Sequence, residues 1–141
     1  MENVLVPVFW QVGLSISVLL LLGVHRLYDV VNDRSLLVRS KTDTSVYPER
    51  TKKVAANFSN QFELPVLFYL ACGLYLLFGV SEAAGILPWI FVIARIAHTL
   101  IHTTINVVLI RFSAFAVSVL TVIALFVRLA GAIGESPLIS G

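Results

Sequence analysis

The sequence predicts an all-α integral membrane protein built as a four-transmembrane-helix bundle, and three observations carry that fold class. Of its 141 residues, 58% are hydrophobic and 13% charged, whereas a soluble domain holds about 45–50% apolar and about 25% charged residues. The apolar residues gather into four long stretches. Seven of the ten Lys and Arg residues fall in the polar segment that follows the first stretch. The net charge of +2 is too small to point to nucleic acid. The single cysteine, Cys72, sits in an apolar run, so the chain offers neither a disulfide framework nor a cysteine metal site.

The whole chain reads as one membrane domain over residues 1–141, with helices over about 4–24, 50–80, 86–110 and 113–133 and a loop over about 25–49. Val4–Val24 carries no charge and is long enough to cross a hydrocarbon core of about 30 Å at roughly 1.5 Å per residue. A cleaved signal peptide is the competing reading. The start Met1-Glu2-Asn3 has no basic region and no small-residue cleavage pattern follows the run, so a retained first helix is expected. The next segment holds Arg26, Arg34, Arg39, Lys41, Arg50, Lys52 and Lys53 against Asp29, Asp33, Asp43 and Glu49. The excess of Lys and Arg places this segment in the cytoplasm and both chain termini outside.

The second span begins after Pro48 and carries Asn57, Asn60, Gln61 and Glu63 before Pro65. On a continuous helix Asn60 and Glu63 share a face, and Pro65 is expected to kink the helix or loosen its first bonds. The Asn57-Phe58-Ser59 sequon falls on the wrong side of the membrane or in the interior, so glycosylation is discounted. A short turn over Ser81–Gly85 makes the second and third spans antiparallel neighbours. The third span closes with Arg111 and the fourth follows almost at once; Arg128 near its outer end can snorkel to the headgroups. The tail from Gly134 is expected to fray.

Arg95, His98, His102 and Asn106 recur at three- and four-residue steps in the third span, which puts them on one helical stripe. Ionisable groups in hydrocarbon are costly unless they meet partners or water, so the stripe faces inward or lines a site. Counting rise from Arg111 at the inner interface puts His102 about 13 Å deep, His98 about 20 Å and Arg95 about 24 Å. On that count Arg111, Asn106 and His102 belong to a site reached from the cytoplasm, and His98 and Arg95 to the architecture. Glu63, about 7–13 Å deep, is level with His102 and Asn106 rather than with Arg95.

Four readings of these groups stand side by side. The polar row could simply hold helices together through hydrogen bonds worth about 1 kcal/mol each in lipid. His98 and His102 with Glu63 could share a metal ion, although Arg95 adds a positive charge one turn away and no second carboxylate is at hand. Proton transport is disfavoured by the lone intramembrane carboxylate and the lack of an internal repeat. An anionic ligand at the inner mouth would meet Arg111, Arg50, Lys52, Lys53 and Arg26, with Asn60, Glu63 and His102 bonding its polar head.

Four spans, a basic cytoplasmic loop, Asn60-Gln-Phe-Glu63 with Pro65, Arg95-Ile-Ala-His98-Thr99 and then Arg111 resemble the MAPEG family, the membrane-associated proteins in eicosanoid and glutathione metabolism. The resemblance spans essentially the whole chain and is nearer to the bacterial-type branch than to the eicosanoid enzymes. It implies a homotrimer of four-helix bundles in the lipid bilayer, with glutathione as co-substrate between subunits near the cytoplasmic face. By the same resemblance Asn60 and Glu63 hold the peptide, Glu63 also bonds toward Arg95, Arg111 stabilises the thiolate, and Arg26 matches a basic residue closing the first helix. His102 stands where the enzymes usually carry a tyrosine. The arginines that lead into the Asn-x-x-Glu motif of the eicosanoid enzymes are replaced here by Ala56 and Ser59, leaving Arg50 and Lys53 to compensate.

Two functions follow from the resemblance. One is a glutathione-dependent transferase or peroxidase acting on a lipophilic small molecule that enters from the bilayer. The other is a non-catalytic structural or accessory subunit of a larger membrane complex, in which the helix-stitching residues persist while glutathione contacts decay.

Overall fold

The computed structural model describes residues 2–105 and 107–134, and the described residues are helical or in turns and short connections. Helix α1 (Glu2–Asn32) is followed by a four-residue helix α2 (Leu36–Arg39) and a 3-10 turn over Thr44–Val46. Then come α3 (Glu49–Asn60), α4 (Leu64–Leu77), a 3-10 turn over Ser81–Ala84, α5 (Leu87–Thr103) and α6 (Val108–Gly134). Three units, Val4–Asn32, Glu49–Leu77 and Val108–Gly134, are long and apolar enough to cross a membrane, and α5 is a shorter apolar helix. Asn106 and the tail beyond Gly134 lie outside the described residues.

The second span is broken rather than kinked. Pro65 has no N–H to give and its ring would collide with the carbonyl of Gln61 in a continuous helix. The chain therefore leaves helical geometry over Gln61–Glu63 and restarts at Leu64, with Pro65 in the first turn, where its missing donor costs nothing. Asn60 and Glu63 consequently do not share one helical face: Asn60 ends α3, and Glu63 caps the start of α4 with its side chain exposed.

The third span ends earlier than its hydropathy predicts, at Thr103 instead of near Ile110, and the fourth begins at Val108 instead of Ser113. No charge, Gly or Pro marks this turn in the sequence. At the close of α5 two β-branched residues turn their hydroxyls back on the preceding turn. Thr103 Oγ1 donates to the Thr99 carbonyl at 2.8 Å and Thr104 Oγ1 donates to that of Leu100, a pattern that bends helices and competes with their continuation. Arg111 therefore lies in the opening turns of α6, not at the close of α5.

Packing holds these pieces in one bundle. Phe68 of α4 stacks on Phe91 of α5 with ring centroids 4.2 Å apart, and both are fully buried. Tyr75 donates to the Leu125 carbonyl at 2.8 Å, tying α4 to α6. Nearer the break, Gln11 Nε2 donates to Gln61 Oε1 at 3.0 Å and Gln61 Nε2 donates to Thr99 Oγ1 at 3.1 Å. Asn57 completes this buried cluster, accepting from Gln61 and Thr99 at 3.4 Å each. The amides thus stitch α1, α3 and α5 beside the broken segment, where apolar side chains would leave its polar groups unpaired.

The turn into α5 depends on Gly85, whose φ of 55° and ψ of −133° suit glycine alone. A Cβ there would also lie 3.2 Å from Arg128 Nη1. Gly85→Ala is expected to cost about 1–3 kcal/mol, seen as a lowered midpoint of thermal unfolding in detergent; an unchanged midpoint would show that the turn relaxes freely.

Candidate functional site

Because α5 turns back at Thr103, the opening of α6 runs antiparallel beside the last turns of α5. His98 Nδ1 lies 3.2 Å from the backbone carbonyl of Arg111. Rise counting on an unbroken helix would separate these two residues by about 20 Å. The hairpin brings them into contact, and with that the division of the stripe by depth fails. His98, assigned by depth to the architecture, stands in the same site as Arg111 and His102.

That site is a cavity of about 390 Å³ lined by Ala56, Asn60, His98, His102, Val108, Arg111, Phe112 and Phe115. Four residues singled out in the sequence converge there: Asn60 from α3, His98 and His102 from α5, and Arg111 from α6. The histidines are 3% and 5% exposed, stand edge to face with centroids 5.5 Å apart, and among the described residues each keeps one ring nitrogen without a partner, Nε2 of His98 and Nδ1 of His102. Buried polar atoms are rarely left unpaired in native structures, and such an orphan commonly marks a functional position. Phe112 and Phe115 supply an apolar wall, with Phe115 5.9 Å from the His98 ring. A cation, two imidazoles and an amide beside two phenyl rings suit a ligand with an anionic polar head and an apolar neighbour.

Arg95 sits outside that lining, fully buried, and does not bond Glu63. Its Nη2 donates to the Asn60 carbonyl at 2.9 Å, while Nε and Nη1 have no partner. Glu63 and Arg95 form no ion pair among the described residues; the break swings Glu63 to an exposed position from which it acts on Arg95 only at longer range. The expected Glu63–Arg95 bond is therefore replaced by a side-chain cap on the end of α3. The freed carbonyl explains the preference: in a membrane it has no water to turn to.

The cations expected at the inner mouth disperse. Arg50 donates to Asp29, which also accepts from Thr51, and the Arg50 guanidinium lies 4.6 Å from the Tyr28 ring centroid. Arg26 lies over the Tyr47 ring at 5.6 Å and lines a separate cavity with Asp43, Ser45 and Lys52. The Ser45 hydroxyl and backbone N–H, each 2.8 Å from Asp43, hold that carboxyl below its ordinary range. Lys52 pairs with Glu49. Lys53, half-buried on α3, lies outside the lining of the histidine cavity but close enough to act electrostatically on His102. Asn106 falls outside the described residues. Among those described, no group of three or more His, Cys, Asp or Glu side chains is placed to hold a metal ion.

Several residues of the site and its support went unrecognised in the sequence. Val108, Phe112 and Phe115 line the cavity only because α6 starts early. Gln11 carried a usable signal, a lone amide in an uncharged span, since a polar group at that depth calls for a partner.

The MAPEG family model matches residues 4–131. The chain belongs to the MAPEG family. No curated protein and no solved structure matches it. The family is one of helical membrane proteins, and its members include glutathione-dependent enzymes.

Proposed function

We propose that this MAPEG protein binds glutathione in the His98–His102–Arg111 cavity and either joins it through its sulfur to a lipophilic electrophile delivered from the bilayer or reduces that electrophile. The convergence of Arg111, Asn60 and two buried histidines with unpaired ring nitrogens against Phe112 and Phe115 carries this reading. The thiol end of the peptide lies beside Arg111, whose cation favours the thiolate and so raises the reactive fraction. Asn60 and His102 bond the peptide groups. Glu63, Lys53 and Arg26 are exposed or half-buried around the polar end of the bundle, in keeping with contacts to the ligand's termini across the interface of a homotrimer. The basic segment faces the cytoplasm and both termini lie outside.

A specific observation favours the accessory-subunit reading as the alternative. Ala56 lines the cavity where the eicosanoid enzymes carry arginine, and Arg50, the nearest replacement, is engaged by Asp29 and Tyr28. Calorimetric titration of glutathione into the detergent-purified protein decides between them. The enzyme reading expects saturable binding below about 1 mM, within the usual range of substrate affinities. No binding at millimolar glutathione removes that reading and leaves the accessory role.

A further inference from the structure

We propose that His98 is the general base that takes the thiol proton of the bound peptide. This rests on the cavity being the thiol site of the preceding section. A carbonyl oxygen only accepts, so the ring nitrogen facing the Arg111 carbonyl at 3.2 Å, Nδ1, carries the proton. A hydrogen bond at one ring nitrogen sets the tautomer and leaves the other as the lone-pair acceptor. That other nitrogen, Nε2, is buried and has no partner among the described residues, on a residue that lines the cavity with Arg111. The same bond locks the imidazole to the backbone of the residue whose side chain carries the fixed positive charge. Arg111 itself can stabilise a thiolate but cannot accept a proton, and among the described residues no carboxylate lines the cavity. His102 lines it too, but among the described residues no backbone bond fixes its tautomer in the same way.

The step balances without a further reactant. The S–H bond breaks as an Nε2–H bond forms, leaving a thiolate beside Arg111 and an imidazolium held by the Arg111 carbonyl. The sulfur electron pair then forms the bond to the electrophilic carbon. The proton on Nε2 passes to the leaving group or to the carbanion formed by addition. The charged and titratable groups that bear on His98 are Arg95 and His102 on α5 and Arg111 on α6, while Lys53 on α3 bears on His102.

The decisive measurement uses the unaltered full chain in detergent. Glutathione and S-methylglutathione are titrated by calorimetry in buffers of different ionisation enthalpy, and thiolate is followed by its ultraviolet absorbance. An internal base predicts thiolate absorbance on binding, with glutathione releasing no more protons to buffer than its S-methyl analogue. Release of one additional proton, or binding without thiolate absorbance, overturns the assignment of His98. His98→Gln should bind glutathione yet turn over about 10²–10³-fold more slowly, recovering as rising pH ionises the thiol unaided. Binding with unchanged turnover and pH profile rejects the base alone, whereas no binding by the unaltered chain rejects the thiol site and the base together.

Discussion

Arg95→Ala is expected to destabilise the fold by about 3–5 kcal/mol, the cost of leaving a buried acceptor unpaired together with the cavity the side chain leaves. Arg95 is fully buried, and its Nη2 holds the Asn60 carbonyl at the point where Pro65 breaks the second span. Alanine leaves that carbonyl without its side-chain donor and opens a void the size of the side chain. Two of the three guanidinium nitrogens have no partner, so the bond to Asn60 and the filled volume, rather than a satisfied charge, account for the loss. Arg95→Met refills the void without the donor and should recover roughly half of it. Unfolding followed by helical signal in a graded denaturing detergent measures both variants. A loss below about 1 kcal/mol for Arg95→Ala, the scale of an ordinary interhelical hydrogen bond in lipid, would show that the cap on α3 is dispensable.

This arrangement also shows where the sequence was readable. Long uncharged stretches such as Val4–Val24 announce spanning helices because hydrocarbon leaves few other options. The helix ends inside those stretches are decided by finer forces. Pro65 was visible, but whether its neighbourhood kinks or breaks depends on Arg95 and Gln61 standing ready to satisfy the opened backbone and side chains, contacts 35 and 38 residues distant in the chain. The Thr103–Val108 turn contains no breaker, so hydropathy slides past it and every depth counted from Arg111 is displaced. The convergence of His98 with Arg111 was therefore not legible, although both residues stood out as polar groups in an apolar setting. The mouth cations failed differently. Counting positive residues predicts a side of the membrane, but not which of them a nearby Asp29 or Tyr47 has already engaged.

Arg111→Ala should lower glutathione turnover by about 10²–10³-fold, the usual effect of deleting one preorganised group that stabilises developing anionic charge. Among the residues lining the cavity, Arg111 carries the permanent positive charge. The substitution leaves the backbone carbonyl that holds His98 Nδ1 in place, so the tautomer of the base survives while the charge beside the sulfur is lost. The two roles thereby separate: Arg111→Ala should still transfer the thiol proton inward at elevated pH but reach saturation with a weaker thiolate. Arg111→Lys keeps the charge as a point without the planar fork of donors and should restore part of the rate. Measured with a generic aromatic electrophile, a fall in kcat larger than the rise in KM assigns the cation to the transition state. Unchanged kcat would move the thiolate away from Arg111, and the cavity would then serve binding without activation, which is what an accessory subunit retaining a vestigial pocket requires.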